Sequence, residues 1–357
     1  MAEQPGGTDS KMISRRAVCA GLAAAAAGAG RLGAAPSGFD AVVRKSGGTH
    51  GSLGAALADA PASAGPYRIL LGRGRWEEKL TVARAGVELV GEDRRGTILT
   101  SAVAAGNDKP GGGKWGTFGS ATLTVEAPDF TARNLTIENG FDHPAHLRQG
   151  GGEGAQAVAL ALGNAADRSL IDRVDIVGYQ DSFYLRGGRA LVRGCFVTGH
   201  VDFIFGGAAA LFDSCEIRSR LRSGEGVQGY IAAPSTPRHQ RFGLVFDRCR
   251  LTREANVPDG SVYLGRPWRA GGNVELRGAA AYLGCRMDAH IHPDGWASMH
   301  YRGPGGYRMT FEPGDARLAE YASTGPGSSG SPRRPILRRP QAAHFTRAAL
   351  FGNWRPA

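Results

Sequence analysis

Two aspartates, Asp181 and Asp202, stand 21 residues apart in Gly-Tyr-Gln-Asp-Ser-Phe-Tyr and Val-Asp-Phe-Ile-Phe-Gly, each among aromatic and aliphatic neighbours. Two carboxyl groups brought within a few ångströms cannot both ionise freely, so their pKa values separate. An arginine beside one keeps it charged while the other retains its proton. Such a pair supplies a nucleophile or base together with a general acid. Gln180 adjoins Asp181, Gln156 precedes it by 25 residues, and Arg266 follows in Tyr-Leu-Gly-Arg-Pro-Trp. Side-chain amides can hold an oxyanion, so the set suits acyl chemistry through a carboxylate nucleophile. The same aspartates would also serve as turn caps, and spacing alone does not choose between the two roles.

The interval has chemical meaning only if the chain repeats with a period near 20. Beyond a short helix expected at Ser52–Ala60, capped by Ser52, the chain reads as short β-type runs. YRILLG, VELVG, ATLTV, LTIENG, AVALAL, VDIVGY and SFYL are separated by Gly, Asn and Asp. Aligning similar strands puts Asn134, Val174, Cys195, Cys215, Cys249 and Cys285 in one column, with steps of 40, 21, 20, 34 and 36 residues. This is a period of about 20 with one double step and two coils carrying insertions, the signature of a solenoid. A parallel β-helix fits it best, because a sandwich of hairpins would not return cysteine to one phase. Asp181 and Asp202 then lie on successive coils, stacked on one face. Cys195 and Cys215, one coil apart, are expected to form a disulfide at the inter-strand spacing of about 5 Å. For Cys249 and Cys285 a second bridge and free buried thiols remain alternatives.

The 357 residues hold 42% hydrophobic and 21% charged residues, enough for a sizeable core and against disorder over most of the length. Glycine, at 55 residues, is about twice its usual frequency of roughly 7%, consistent with many turns. Ser14-Arg15-Arg16 followed by AVCAGLAAAAAGAG has the layout of a twin-arginine export signal. Residues 1–37 are therefore assigned to signal and linker, residues 38–357 to the body, and the body to the secreted or periplasmic space. The formal charge is +11. Much of the excess lies between Pro332 and Ala357, where Arg333, Arg334, Arg338, Arg339, Arg347 and Arg355 face no acid. That stretch reads either as a solvated tail or as a contact for a polyanion.

No Gly-x-Ser-x-Gly elbow occurs, which argues against a serine triad. The glycine run before Lys114 lacks the Ser or Thr of a phosphate loop. His290 and His292 have no partners at metal-ligand spacing, so no metal is expected.

Four segments carry a resemblance. Glu-Gly-Ala-Gln-Ala-Val-Ala-Leu, Gly-Tyr-Gln-Asp-Ser-Phe-Tyr, Val-Asp-Phe-Ile-Phe-Gly and Leu-Gly-Arg-Pro-Trp resemble, in order, the signature segments of the pectin methylesterases. Gly74-Arg-Trp-Glu-Glu-Lys, Phe130–Asn139 and His344-Phe-Thr extend the likeness to about residues 38–355. The resemblance implies a right-handed parallel β-helix that hydrolyses methyl esters of polygalacturonate without cofactor or metal. It assigns Asp202 as nucleophile, Asp181 as acid and then base, Gln180 and Gln156 as oxyanion donors, and Arg266 as the partner of Asp202. Trp268, Phe205, Tyr184, Thr117 and Met299 would line the sugar cleft. It implies a polyanionic pectin substrate; no nucleic acid and no stable membrane association are expected, and a β-helix with covered ends is expected to be a monomer.

Departures from the family pattern are Ser182-Phe183 after Gln-Asp, Trp76 for an early tyrosine, and Met299 after Trp296. None removes a charged or amide group, so they bear on cleft contacts more than on the reaction. Rival readings are a related β-helix esterase or thioesterase acting on a different ester, a polygalacturonate lyase or hydrolase, and a non-catalytic sugar-binding solenoid. The lyase would want a calcium-binding carboxylate cluster, and amides flank the aspartates instead.

Overall fold

The computed structural model describes residues 38–62, 65–222 and 224–356. The export segment expected at 1–37 lies outside the described residues. Among those described, three wholly parallel sheets of ten, eight and seven strands wind round one core, and each complete coil gives one strand to each sheet, the end coils contributing to fewer. One coil, for example, runs through Ser169–Asp172, Asp175–Val177 and Phe183–Leu185, and the next through Arg189–Arg193, Phe196–Gly199 and Val201–Gly206. This is the right-handed parallel β-helix implied by the sequence. The helix expected at Ser52–Ala60 is Leu53–Ala58, with the Ser52 side chain accepting from the Ala55 N–H.

The repeat places its inward residues one above another. Leu135, Val174, Cys195, Cys215, Cys249 and Cys285 are all at most 2% exposed. Beside them Phe212, Phe246 and Tyr282 stack at 4.7 and 4.4 Å between ring centroids. Two details of the sequence alignment need correction. Leu135, not Asn134, occupies the inward column, because Arg133 pairs with Asp172 and Thr136 with Asp175. Asn134 sits at the corner before it at φ 57°, as do Arg173, Gly194, Ser214, Arg248 and Gly284 in later coils. Asparagine tolerates this left-handed conformation, and its Nδ2 donates to the Gly91 carbonyl at 2.9 Å. The supposed double step is a single coil, since Thr131–Arg133 pairs directly with Ser169–Asp172. The extra length is an insertion, 140–159, between Thr136–Asn139 and Leu160–Leu162.

The expected Cys195–Cys215 disulfide is absent: Cys195, Cys215, Cys249 and Cys285 are all free buried thiols. In-register parallel strands direct their Cβ atoms side by side, about 4.8 Å apart. A disulfide needs the Cβ atoms at about 3.8 Å and a dihedral near 90°. Each thiol instead donates to a carbonyl one coil back, Cys195 to Ile171, Cys215 to Val192, Cys249 to Phe212 and Cys285 to Phe246, at 3.3–3.4 Å. Burial pushes the thiols of Cys195, Cys215 and Cys249 well up, so they stay protonated and inert.

The arginines near the C-terminus are not simply solvated. Arg334 is buried against Glu320, Arg347 pairs with Asp213, and Arg333 reaches Asp294 at 3.3 Å. The helix Arg347–Phe351 lays Leu350 and Phe351 on the outer apolar face of the ten-stranded sheet, with Leu170, Leu191, Leu211 and Val245. These cations fasten the C-terminal segment to the helix. No helix among the described residues is long and apolar enough to cross a membrane.

Candidate active site

The outer face of the seven-stranded sheet carries a cleft of about 450 Å³. Gln156, Gln180, Asp181, Asp202, Phe205, Arg266, Trp268, Thr117 and Met299 all line it, as do Phe118, Ala233 and His300. All five residues proposed to carry chemistry therefore meet in one place.

The backbone shows how. Gln180 and Asp181 form the turn before Phe183–Leu185, and Asp202 lies in the strand Val201–Gly206 of the next coil. The Asp181 N–H donates to the Val201 carbonyl at 3.1 Å, and the Ala157 N–H to that of Gln180 at 3.1 Å. Gln156, Gln180–Asp181 and Asp202 thus climb the helix one coil at a time. Both aspartates have positive φ, 62° for Asp181 and 50° for Asp202. Left-handed backbone at a non-glycine residue costs of order 1–3 kcal/mol and concentrates at functional sites. Here it turns both carboxyls out of the strand rows into the cleft. Beyond Asp202 the pairing with Gly229–Pro234 shifts register between Val201 and Ile204. Phe203 and Ile204 consequently both enter the core, and Phe205 emerges on the cleft side.

Arg266 follows the strand Val262–Gly265, two coils beyond Asp202. Its side chain crosses the intervening strand with the guanidinium 3.9 Å from the Tyr230 ring centre. It ends in a two-pronged bond to Asp202, Nε to Oδ1 at 2.9 Å and Nη2 to Oδ2 at 2.7 Å. Stacking on Tyr230 fixes the plane of the fork, which a lysine cannot reproduce. Asp181 has no such partner among the described residues. Burial, then the negative charge of Asp202, push its carboxyl well above the ordinary carboxylate range, with Arg266 opposing. One carboxylate is held by a cation and the other is poised to keep a proton, the asymmetry that separates nucleophile from acid.

Aromatic rings build one side of the cleft. Phe118, Tyr184 and Phe205 stack at 4.8 and 4.6 Å, and Trp268 meets Phe205 edge-on at 5.9 Å. Tyr184, only 7% exposed, supports this stack rather than lining the cleft. Phe118 and His300 escaped the sequence reading. Phe118, 52% exposed, rides on the turn Gly116–Gly119 within the insertion 102–122, and His300 on the hairpin of Met299–Arg302 with Arg308–Phe311. Neither belongs to the repeat, so no phase marked them. His292, one of the two histidines weighed for metal, stacks on Tyr263 at 4.1 Å instead.

The Pectinesterase family model matches residues 40–351. Pectinesterase A of Dickeya dadantii (strain 3937) is 39% identical over 338 residues, which cover 89% of this chain and 92% of that protein. Among solved structures, pectin methylesterase PemA from Erwinia chrysanthemi superimposes with a TM-score of 0.86 at 39% identity, over 89% of this chain and 98% of that one. A pectin methylesterase in complex with a hexasaccharide gives the same TM-score, identity and coverage. The carrot pectin methylesterase is more distant, with a TM-score of 0.73 and 26% identity. With these matches along most of its length, the chain belongs to the pectinesterase family and removes methyl esters from pectin.

Proposed function

We propose that the chain hydrolyses methyl-esterified polygalacturonate as an aspartyl esterase, with Asp202 as nucleophile. The observation that carries this reading is the contrast between the two aspartates: Asp202 is gripped by Arg266 at 2.7 and 2.9 Å, while buried Asp181 is pushed towards its protonated form. One Asp202 oxygen attacks the ester carbonyl, giving a tetrahedral oxyanion that the amides of Gln156 and Gln180 receive. As the carbonyl re-forms, the C–O bond to methoxide breaks, and Asp181 delivers its proton so that methanol leaves. Ionised Asp181 then takes a proton from water, whose oxygen attacks the acyl-enzyme. The galacturonate carboxyl departs, and both aspartates return to their starting states. Trp268 offers an apolar face to the sugar rings, backed by Phe205, which is 3% exposed.

Residues 38–357 act in this reading as a single, monomeric catalytic domain. The Arg15-Arg16 segment and its apolar run support action outside the cytoplasm.

The two aspartate roles separate in Asp181→Asn. Turnover of the methyl ester is expected to fall about 10²- to 10⁴-fold. A nitrophenyl ester of a galacturonate oligomer, whose leaving group needs no proton, should still release one equivalent of nitrophenol per enzyme before stalling. Equal loss of turnover and burst, or methyl-ester turnover at the unsubstituted rate, would overturn the assignment.

A further inference from the structure

His143 and His200 form a buried pair that the reaction does not use. His143, 2% exposed, opens the helix His143–Arg148 in the insertion 140–159, the same insertion that carries Gln156. His200, 1% exposed, lies two residues before Asp202. The His200 Nδ1 accepts the Val201 N–H at 2.7 Å, so its proton is on Nε2, which donates to His143 Nδ1 at 3.2 Å. The rings meet at 4.3 Å, and His143 also stacks with Tyr179, two residues before Asp181, at 5.6 Å. Behind His143 the insertion closes tightly: a Cβ on Gly151 would lie 2.4 Å from the His146 ring.

We infer that His143 and His200 are positioning residues, a neutral imidazole pair that latches the wall carrying Gln156 to the strand carrying Asp202 and releases it on protonation. Every acceptor nitrogen in the pair is already used. A proton on His143 Nδ1 would face the His200 N–H, and one on His200 Nδ1 would face the Val201 N–H, so each proton breaks a hydrogen bond.

All but one of the groups around the pair disfavour its protonation. Asp142 and His146 face it from its own helix, and Arg220 and Arg222 from the segment after Glu216–Ser219. Arg220 lies 3.7 Å over the Tyr179 ring and donates to Glu254 at 3.1 Å. Burial first, then the neighbouring imidazole (His146 at His143, His143 at His200), then Arg222 and Arg220, hold His143 down to about 4 and His200 to about 2, with Asp142 opposing at His143. Free imidazole titrates near 6.5, so protons bind preferentially to the open wall. Closure is complete above that pH and weakens as pH falls from about 6.5 towards 4, by up to about tenfold per pH unit for each imidazole.

The inference rests on the placement of Gln156 in the oxyanion site, and its test reads wall and reaction separately. Hydrogen exchange of residues 141–156 in the intact protein, corrected for intrinsic rates, is compared at pH 7.5 and 4.5. Exchange is expected to rise at least tenfold relative to the core strands. In the double variant His143→Asn with His200→Asn, each side-chain carbonyl takes the place of Nδ1 without titrating. There the rise should vanish, along with the part of the acid-side fall in kcat that leaves KM unchanged. Protection that is flat with pH, or a rise that persists in the double variant, would overturn the latch. The exchange profile of the unsubstituted protein decides the matter alone if the variant does not fold. Opening without loss of kcat would overturn the role of Gln156 and leave the latch standing.

Discussion

Asp202→Asn is expected to abolish turnover, by roughly 10⁴-fold or more in kcat, while the far-ultraviolet spectrum and the thermal midpoint stay close to those of the unsubstituted protein. Asparagine keeps the shape of the side chain and one acceptor for Arg266, but it cannot form the acyl bond. No neighbour can substitute: Asp181 is held towards its acid form by burial and by the charge beside it, and Gln156 and Gln180 are amides. Stability should change little, because the backbone strain at φ 50° is one that asparagine tolerates as readily as aspartate. Measurable steady-state methanol release by this variant would contradict the nucleophile assignment.

The second large effect is expected at Arg266. Arg266→Met should lower kcat by about 10²- to 10³-fold, the order lost when one preorganised electrostatic partner is removed from an active site, and breaking a mostly buried ion pair should cost stability as well. The Asp202 side chain is only 14% exposed. Without the guanidinium it takes up a proton or leaves its attacking position, because an unpaired buried charge is costly. Arg266→Lys should recover part of the loss, since it restores charge but not the two-pronged bond or the stacking on Tyr230. Steady-state kinetics of the two variants check this ordering. A lysine variant as active as the unsubstituted protein would show that the fork geometry is irrelevant, and a lysine variant no better than the methionine variant would show that charge alone restores nothing.

Where the repeat controlled position, the sequence was legible. The 21-residue interval placed Asp181 beneath Asp202, and the buried cysteines marked the phase of the later coils. Legibility failed where the repeat was interrupted. The insertion 140–159 is about one coil in length, so it passed for a missing coil. Nothing in its composition distinguished a loop with a short helix from three weak strands. In the early coils no cysteine marked the column, and Asn134, a corner residue, was placed one position out of phase.

The direction of Asp202 was hidden for another reason. Alternation along Val201–Gly206 is broken by the left-handed backbone at Asp202 and the register shift that follows. Apolar residues on both sides of the aspartate are the consequence. The absent disulfide shows the limit of spacing arguments: one coil fixes the strand separation but not the direction of the Cβ bonds. Arg334 and Arg347 read as a free basic tail because their partners, Glu320 and Asp213, lie 14 and 134 residues away in sequence.

The account stands most directly on the products formed from highly methylated pectin. Purified protein is incubated with that polymer in the presence of a chelator, and methanol, acid and chain length are followed together. One equivalent of acid for each methanol, with chain length unchanged, is the result expected of an ester hydrolase built on Asp202, Asp181 and Arg266. Shortened chains, calcium dependence, or no methanol from any methylated pectin would contradict it.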